Sequence, residues 1–283
     1  MILLATGRSI RPAMAAGGGS ITGVDTHAHI FERGLEFAAQ RRYAPNYDAT
    51  VDLFLAKLDA NGLSHGVLVQ PSFLGTNNDY LLAGIAKSAG RLKGIVVVAP
   101  PVTEDQLDTF AAGGAVGIRL NLVERETPDL TGPDWKQLLG SVARRGWQVE
   151  VHVEAKRLAE ILPPLLDGQV NLVVDHFGRP DPELGTKDPG FEYLLSLGPS
   201  RRVWVKLSAL YRLSDQIARE SVPLVRAAFG IDRLLWGSDW PHTQHEKDID
   251  YAAMRARLDS WLPEPADRAT VLADNPAKVF GFT

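Results

Sequence analysis

Short apolar runs alternate along the chain with longer stretches of helical periodicity. Gly66-Val67-Leu68-Val69 and Ile95-Val96-Val97-Val98 are nearly continuous apolar runs, which is typical of parallel strands covered by helices on both faces. Eight strands are predicted, at residues 21–26, 65–70, 94–99, 115–121, 147–153, 170–176, 202–208 and 233–238.

The stretches between these strands predict helices. One covers residues 51–60 and ends at Asn61-Gly62, a suitable helix stop. Another begins after Thr103 with acidic residues in its first turn. Further helices are predicted at 134–145, 155–166, 189–197 and 215–229, with a terminal helical pair at 266–280 that is broken at Pro276.

Eight strand–helix units predict an α/β fold, a (β/α)8 TIM barrel, as a single domain over residues 21–283. Residues 1–20 end in a Gly- and Ala-rich stretch and predict a flexible N-terminal extension. The longest irregular segments, 30–49, 121–133 and 177–190, all follow strands and are expected to lie over one mouth of the barrel. Long loops in that position usually carry function.

Histidines gather at the predicted strand ends. In Val24-Asp25-Thr26-His27-Ala28-His29 two imidazoles are separated by one residue, and such side chains point to the same side of a strand. His65, at the start of the second strand, is interpreted as structural. The groups expected to meet at the active mouth of the barrel are His27, His29, His152, His176 and Asp239.

Asp239 is the best candidate for a general base, because a carboxylate held beside imidazoles can take a proton from water. It could equally bind a metal. The alternatives are histidines that only cap or fill the core, and an aspartate that only shapes a turn.

Cations near the same mouth indicate an anionic ligand. Arg119 lies inside an otherwise apolar strand, and a buried guanidinium needs an anion, for which a carboxylate is well suited. Arg125 and Arg212 follow strands, and Lys206 lies within one. The alternative for Arg119 and Lys206 is internal pairing with Asp25, Glu150 or Asp175.

Polar groups on the loops add substrate-binding candidates. The hydroxyls of Ser72 and Thr76 could bind substrate oxygens, while Tyr43 and Tyr47 could close over the ligand or pack their loop. The chain has no Gly-x-Ser-x-Gly elbow, no Walker motif and no Gly-x-Gly-x-x-Gly motif. A serine nucleophile of that type and a nucleotide-phosphate loop are therefore not indicated.

Composition narrows the class of protein. Among 283 residues, 45% are hydrophobic and 23% charged, which is the balance of a globular protein. A net charge of −4 is too small to indicate nucleic acid or an anionic membrane as a partner. The absence of cysteine excludes thiolate nucleophiles and Cys-ligated zinc. We expect a cytoplasmic enzyme with a small-molecule substrate, and the oligomeric state stays open.

These motifs resemble the amidohydrolase superfamily (amidohydrolase-related family 2), in particular its branch around 2-pyrone-4,6-dicarboxylate lactonase. The resemblance runs from about residue 21 to the C-terminus. The matching segments are residues 24–31, 42–45, 69–77, 117–121, 174–180 and 236–242.

The resemblance implies a distorted (β/α)8 barrel that hydrolyses a cyclic ester. Asp239 would activate water, and His27, His29 and His176 would surround the lactone carbonyl. His152 and Thr76 are further substrate-binding candidates. The positions that would hold substrate carboxylates are Arg119, Arg125, Arg212, Tyr43 and Ser72.

The resemblance leaves metal use open. Many amidohydrolases bind one or two divalent ions, often with a carboxylated lysine on strand four, where this chain has Arg119. We therefore expect no required metal; the alternative is one divalent ion, Zn first, on His27, His29, His176 and Asp239. Competing hypotheses are a metal-dependent decarboxylase of an aromatic or muconate-like acid, and a catalytically silent ligand-binding barrel.

Overall fold

A computed structural model describes residues 20–283, so the predicted N-terminal extension lies almost entirely outside the described residues. Eight parallel strands form one sheet in chain order, each paired with the next. The predicted (β/α)8 TIM barrel is confirmed. The strands are β1 (Val24–Ala28), β2 (His65–Val69), β3 (Leu92–Val96), β4 (Ala115–Asn121), β5 (Gln148–His152), β6 (Asn171–Val174), β7 (Val203–Leu207) and β8 (Leu234–Trp236).

Helices cover the outside of the sheet. None of those in the described part of the chain is long and apolar enough to cross a bilayer. They are α1 (Val51–Ala60), α2 (Asp79–Lys87), α3 (Glu104–Ala112), α4 (Pro133–Arg144), α5 (Leu158–Asp167), α6 (Pro189–Ser196), α7 (Asp215–Phe229), α8 (Tyr251–Trp261), α9 (Pro265–Ala269) and α10 (Asn275–Phe280).

The barrel interior has an apolar lower layer and a charged upper layer. Valine, isoleucine and leucine side chains from several strands fill the lower layer together with Phe280 and Phe282. Phe282 also packs against His65 at the start of β2, with ring centroids 5.1 Å apart, so the C-terminus covers the amino ends of the strands. The opposite, carboxyl ends of the strands therefore form the accessible mouth.

The join between β1 and β8 closes the barrel through backbone contacts rather than a long ladder. The amide of His29 donates to the carbonyl of Trp240 at 2.7 Å, and the amide of Asp239 donates to the carbonyl of His27 at 2.8 Å. A Cβ on Gly237 would lie 2.5 Å from Cβ of His27, closer than carbon atoms approach in proteins. Glycine at this position allows the two strands to meet.

Some predicted boundaries are wrong. The first strand begins at Val24 rather than residue 21 and includes His27, and the third covers 92–96 rather than 94–99, because pairing with β2 starts at Leu92. The predicted break at Pro276 is also wrong. Pro276 lies in the first turn of α10, where proline is tolerated, and the irregularity is a π-helical turn at Thr270–Asp274.

Candidate active site

Two perpendicular imidazoles from the end of β1 lie at the centre of the mouth. The ring centroids of His27 and His29 are 4.9 Å apart. Nδ1 of His29 lies 2.7 Å from the carbonyl oxygen of Val69, which can only accept, so Nδ1 carries the proton. Nε2 of His29 therefore presents its lone pair, 3.2 Å from Oδ1 of Asp239.

Asp239 lies opposite these histidines in a left-handed backbone conformation, with φ of 60°. Its Oδ1 is 3.5 Å from Nε2 of His27. Its Oδ2 accepts hydrogen bonds from the Tyr211 hydroxyl at 2.5 Å and from Nε of Arg212 at 3.2 Å. Burial alone would raise the pKa of Asp239, but the neighbouring imidazole groups and the Arg212 guanidinium outweigh it and hold this pKa well below its usual range. The group is therefore a carboxylate at neutral pH.

A second aspartate, Asp25, positions the first. Its carboxylate accepts hydrogen bonds from the His27 amide at 3.1 Å and, across the join, from the Ser238 amide at 2.9 Å. The Ser238 hydroxyl and the Tyr251 hydroxyl donate to its other oxygen at 2.6 and 2.8 Å. Asp25 thus joins β1 to the segment that carries Asp239, and it contacts no cation among residues 20–283.

Two more imidazoles lie near His27: that of His176 is next to it, and that of His152 is next to His176. His176, with φ of 53°, has its ring centroid 4.9 Å from that of His27 and 4.7 Å from that of His152. Its Nδ1 lies 2.7 Å from Oγ of Ser208. Burial lowers the pKa of both His152 and His176 well below the ordinary value. Both rings are therefore neutral at pH 7.

Beneath His27 lies a fully buried group of charges. Its Nδ1 is 3.2 Å from Oε1 of Glu150, 3.2 Å from Oδ1 of Asp175 and 3.0 Å from Nζ of Lys206. The ammonium in turn donates to Glu150 at 2.5 Å. Burial alone would lower the pKa of His27, but the Asp175 and Glu150 carboxylates raise it overall against the opposing charge of Lys206.

Arg119 belongs to the same group of charges. Its Nη2 donates to Oδ2 of Asp175 at 3.0 Å, and its Nε is 3.8 Å from Oε1 of Glu150. Arg119 and Lys206 therefore form internal ion pairs, as the alternative prediction stated. Their partners are Glu150 and Asp175, and Asp25 is not among them. Arg119 nonetheless lines the mouth cavity, and its role toward substrate stays a prediction.

Guanidinium groups surround the open side of the site. A cavity of about 750 Å³ is lined by Arg42, Arg119 and Arg125. Arg212 contacts the carboxylate of Asp239, and Nη1 of Arg179 lies 3.2 Å from Nε2 of His152.

Arg42 and Arg179 have no carboxylate within ion-pairing distance among the described residues. Burial lowers the pKa of both, and the nearby charge of Arg212 lowers it further. Such groups are stabilised by an incoming anion.

The hydroxyl candidates fall into two groups. Oγ of Ser72 is buried without a hydrogen-bond partner among the described residues, and Thr76 lines the mouth cavity. Tyr43 packs on Phe73, with ring centroids 5.3 Å apart. Tyr47 donates to Glu246 at 2.5 Å and so ties the first loop to the last. Ser72 and Thr76 remain candidates for substrate contact, whereas Tyr47 is occupied.

One set of atoms has the chemistry of a mononuclear metal site. Nε2 of His27, Nε2 of His29 and Oδ1 of Asp239 converge, and two imidazoles with one carboxylate suit zinc. Nε2 of His27 has no hydrogen-bond partner among residues 20–283. His176 is not part of this set. A ring nitrogen of His176 instead forms a second set with His27 and Asp175.

The amidohydrolase family model matches residues 24–282. The chain belongs to the amidohydrolase family. A 2-pyrone-4,6-dicarboxylate hydrolase of Comamonas testosteroni is 30% identical over 276 residues, which cover 91% of this amidohydrolase and 89% of the relative. A 4-sulfomuconolactone hydrolase of Hydrogenophaga intermedia is 29% identical over 271 residues, with 91% and 88% covered.

A solved structure is more similar still. It is the crystal structure of a probable 2-pyrone-4,6-dicarboxylic acid hydrolase from Acinetobacter baumannii with citric acid bound, at 41% identity and a TM-score of 0.89. The match covers 92% of this amidohydrolase and 99% of that chain.

Sequence reasoning missed several groups at the mouth of this amidohydrolase. Arg42 and Arg179 were not singled out, although each lies in a segment that carries the family resemblance. Tyr211 contacts Asp239, and Ser208 contacts His176. Both lie in the segment just after β7, and this position is the sequence signal that could have identified them. From the sequence, Asp25 is expected only as an ion-pair partner.

We predict that Asp25→Asn destabilises the fold by about 2–4 kcal/mol, because an amide cannot accept all four hydrogen bonds of a buried carboxylate. Tyr251→Phe removes one of the four and should cost about 1 kcal/mol. Urea unfolding of both variants measures the difference. Equal, negligible losses in both variants would contradict the positioning role of Asp25.

Proposed function

We propose that this protein is a hydrolase that opens a carboxylated lactone, 2-pyrone-4,6-dicarboxylate or a related cyclic ester. The observation that carries the proposal is a general-base geometry at Asp239 beside two guanidinium groups, Arg42 and Arg179, that lack carboxylate partners among the described residues. Relatives with about 30% identity hydrolyse lactones of this class by name, and the Acinetobacter structure contains a tricarboxylic acid.

Water attack is the step that Asp239 serves. Oδ2 is occupied by Tyr211 and Arg212, so Oδ1 is the oxygen free to take the proton of a water as its oxygen bonds to the lactone carbonyl carbon. The ring carbon–oxygen bond then breaks, and the proton passes from Asp239 to the leaving enol or alkoxide oxygen. The product is an open-chain acid.

Imidazole hydrogens stabilise the carbonyl oxygen as it gains negative charge. When the Ser208 hydroxyl donates to Nδ1 of His176, the proton of this neutral ring lies on Nε2, toward the mouth. Nδ1 of His27 faces the Asp175 and Glu150 carboxylates, which raise its pKa, and the ring supplies a second hydrogen from Nε2 when it is protonated. His29 faces Asp239 with a lone pair and orients the water.

The guanidinium groups select the substrate by charge. A carboxylate matches the planar fork of arginine in geometry and charge. Arg42 and Arg125 line the mouth cavity and Arg212 contacts Asp239, and none of the three is in a buried ion pair with Glu150 or Asp175, unlike Arg119. We assign binding of the substrate carboxylates to these three residues and Arg179. Arg119 instead balances the charges of the carboxylates under His27.

No divalent ion is required in this proposal. Asp239 takes the proton of the water and the imidazole hydrogens stabilise the carbonyl oxygen without one. If an ion does bind, Nε2 of His27, Nε2 of His29 and Oδ1 of Asp239 hold it, and it supplies a Lewis acid that lowers the pKa of water.

A metal-dependent decarboxylase of an aromatic or muconate-like acid is the second candidate, favoured only by this three-atom donor set. It requires an ion, so metal analysis separates it from the hydrolase. Within the proposal the substrate is a small anion encountered in the cytoplasm, with no part for nucleic acid or a membrane.

We predict that Asp239→Asn lowers kcat for 2-pyrone-4,6-dicarboxylate by about 10²–10⁴, the usual contribution of a general base. Asp248→Asn, an exposed aspartate of the same loop, is the matched control and should leave kcat unchanged. A pH-stat assay with circular dichroism measures rate and fold together. Near wild-type turnover by the Asp239 variant would remove the assigned base.

We predict that Arg42→Met raises KM for the dicarboxylate about 10–100-fold, because a charge-assisted hydrogen bond of about 1.5–3 kcal/mol is lost. The KM for unsubstituted 2-pyrone should change little. Arg33→Met is the control, since Arg33 lies on the same loop but is paired with Asp48 at 2.8 Å. Equal effects on charged and neutral lactones would contradict recognition of the carboxylate by Arg42.

We predict that dialysis against a strong chelator leaves lactone hydrolysis unchanged and that the purified protein contains much less than one equivalent of metal. Elemental analysis by mass spectrometry, paired with the assay, checks this. Loss of activity that zinc restores would instead assign an ion to His27, His29 and Asp239.

A further inference from the structure

A second cavity of about 360 Å³ lies beside the mouth, and apart from Arg179 and Arg212 its lining has no part in the steps above. It lies between the start of α5, the loop that follows β6 and the start of α6. Its apolar lining is formed by Ala155, Ala159, Pro180, Pro182, Leu184 and Tyr193. Its volume falls within the range of about 300–1,000 Å³ that is common for small-molecule sites.

Two arginines lie between this cavity and the catalytic centre. Arg212 lines it and also donates to Oδ2 of Asp239 at 3.2 Å. Arg179 lines it and contacts His152 at 3.2 Å. One side chain therefore separates the second cavity from the proposed base, so a group bound there can be covalently attached to a lactone at the mouth.

Internal bonds fix the walls of this cavity. The carboxylate of Asp188, which is 2% exposed, accepts from the amides of Asp181 at 2.8 Å and Gly190 at 2.7 Å. The amide of Ala155 donates to the carbonyl of Arg179 at 3.0 Å. A Cβ on Gly190 would lie 2.0 Å from the carbonyl oxygen of Ala155, so glycine permits this close contact between segments. The cavity is built into the fold.

The polar groups of the lining leave the cavity without a free acid deep inside it. Asp188 is occupied as described, and Glu154 accepts from the Glu124 amide at 3.1 Å and lies 3.5 Å from Arg157. The side chains of Lys156 and Tyr193 have no hydrogen-bond partner among the described residues. The lining is thus apolar in its body, and its carboxylates, on Glu154, Asp181 and Asp188, are accompanied by the cations of Lys156, Arg179 and Arg212.

We propose that this second cavity binds an apolar substituent, an aryl ring or short alkyl chain, carried by the lactone substrate. The inference rests on the proposed function and extends it, because a compact dicarboxylate ring needs only the mouth. Transfer of such a substituent from water to apolar walls favours binding. This chain would then prefer substituted lactones to the unsubstituted ring.

The test compares 2-pyrone-4,6-dicarboxylate with its 3-phenyl and 5-phenyl derivatives. Ala159→Phe places a ring in the cavity from an exposed position on α5, and Ala252→Phe makes the same change at an exposed position on α8, away from it. We expect at least one phenyl derivative to have a higher kcat/KM than the parent. Ala159→Phe should lower that preference at least tenfold, and Ala252→Phe should not alter it.

The outcomes are distinct. Hydrolysis of the parent lactone but of neither phenyl derivative overturns this inference and leaves the proposed function standing. A preference for a phenyl derivative that survives Ala159→Phe also overturns it, because the substituent then lies elsewhere. Failure of the wild type on all three lactones removes the proposed function and the inference with it.

Discussion

The buried carboxylate of Asp25 is the constraint on which the site depends. It collects hydrogen bonds from both sides of the join between β1 and the segment after β8. The barrel closes at this join, and the groups that it aligns are the imidazole of His27 and the carboxylate of Asp239. The same hydrogen bonds therefore close the barrel and align His27 with Asp239, and burial of Asp25 strengthens them because water does not compete for them.

Above the apolar layer, the barrel separates two kinds of charge. Deep in the interior, Arg119 and Lys206 are balanced by Glu150 and Asp175. At the surface of the mouth, the guanidinium groups of Arg42 and Arg179 have no such balance among the described residues. The deep carboxylates raise the pKa of His27, while the outer groups create a positive field at the mouth. A chain with net charge of −4 thus concentrates positive charge at the mouth of its barrel.

Much of this arrangement could be predicted from sequence, because β-strand runs and histidines at strand ends are local signals and parallel strands bring their ends together. The partner of Arg119 could not be predicted, because a substrate carboxylate and an internal carboxylate satisfy a guanidinium equally well. The register decides it by placing Arg119 opposite Glu150. Arg42 and Arg179 lie in irregular segments, where no period indicates the direction of a side chain. The predicted start of β1, residue 21, is three residues too early because apolar content does not mark where strand pairing begins.

Three residues of the mouth, His176, Arg179 and Asp239, have positive φ of 53°, 50° and 60°. Side chains other than glycine rarely adopt this backbone region, and doing so carries a free-energy cost. Selection of variants for heat resistance alone would thus tend to replace these positions with glycine, which removes an imidazole, a guanidinium and a carboxylate from the mouth. Thermostabilised libraries of this barrel should keep all three positions unvaried and seek their gains on the outer helices.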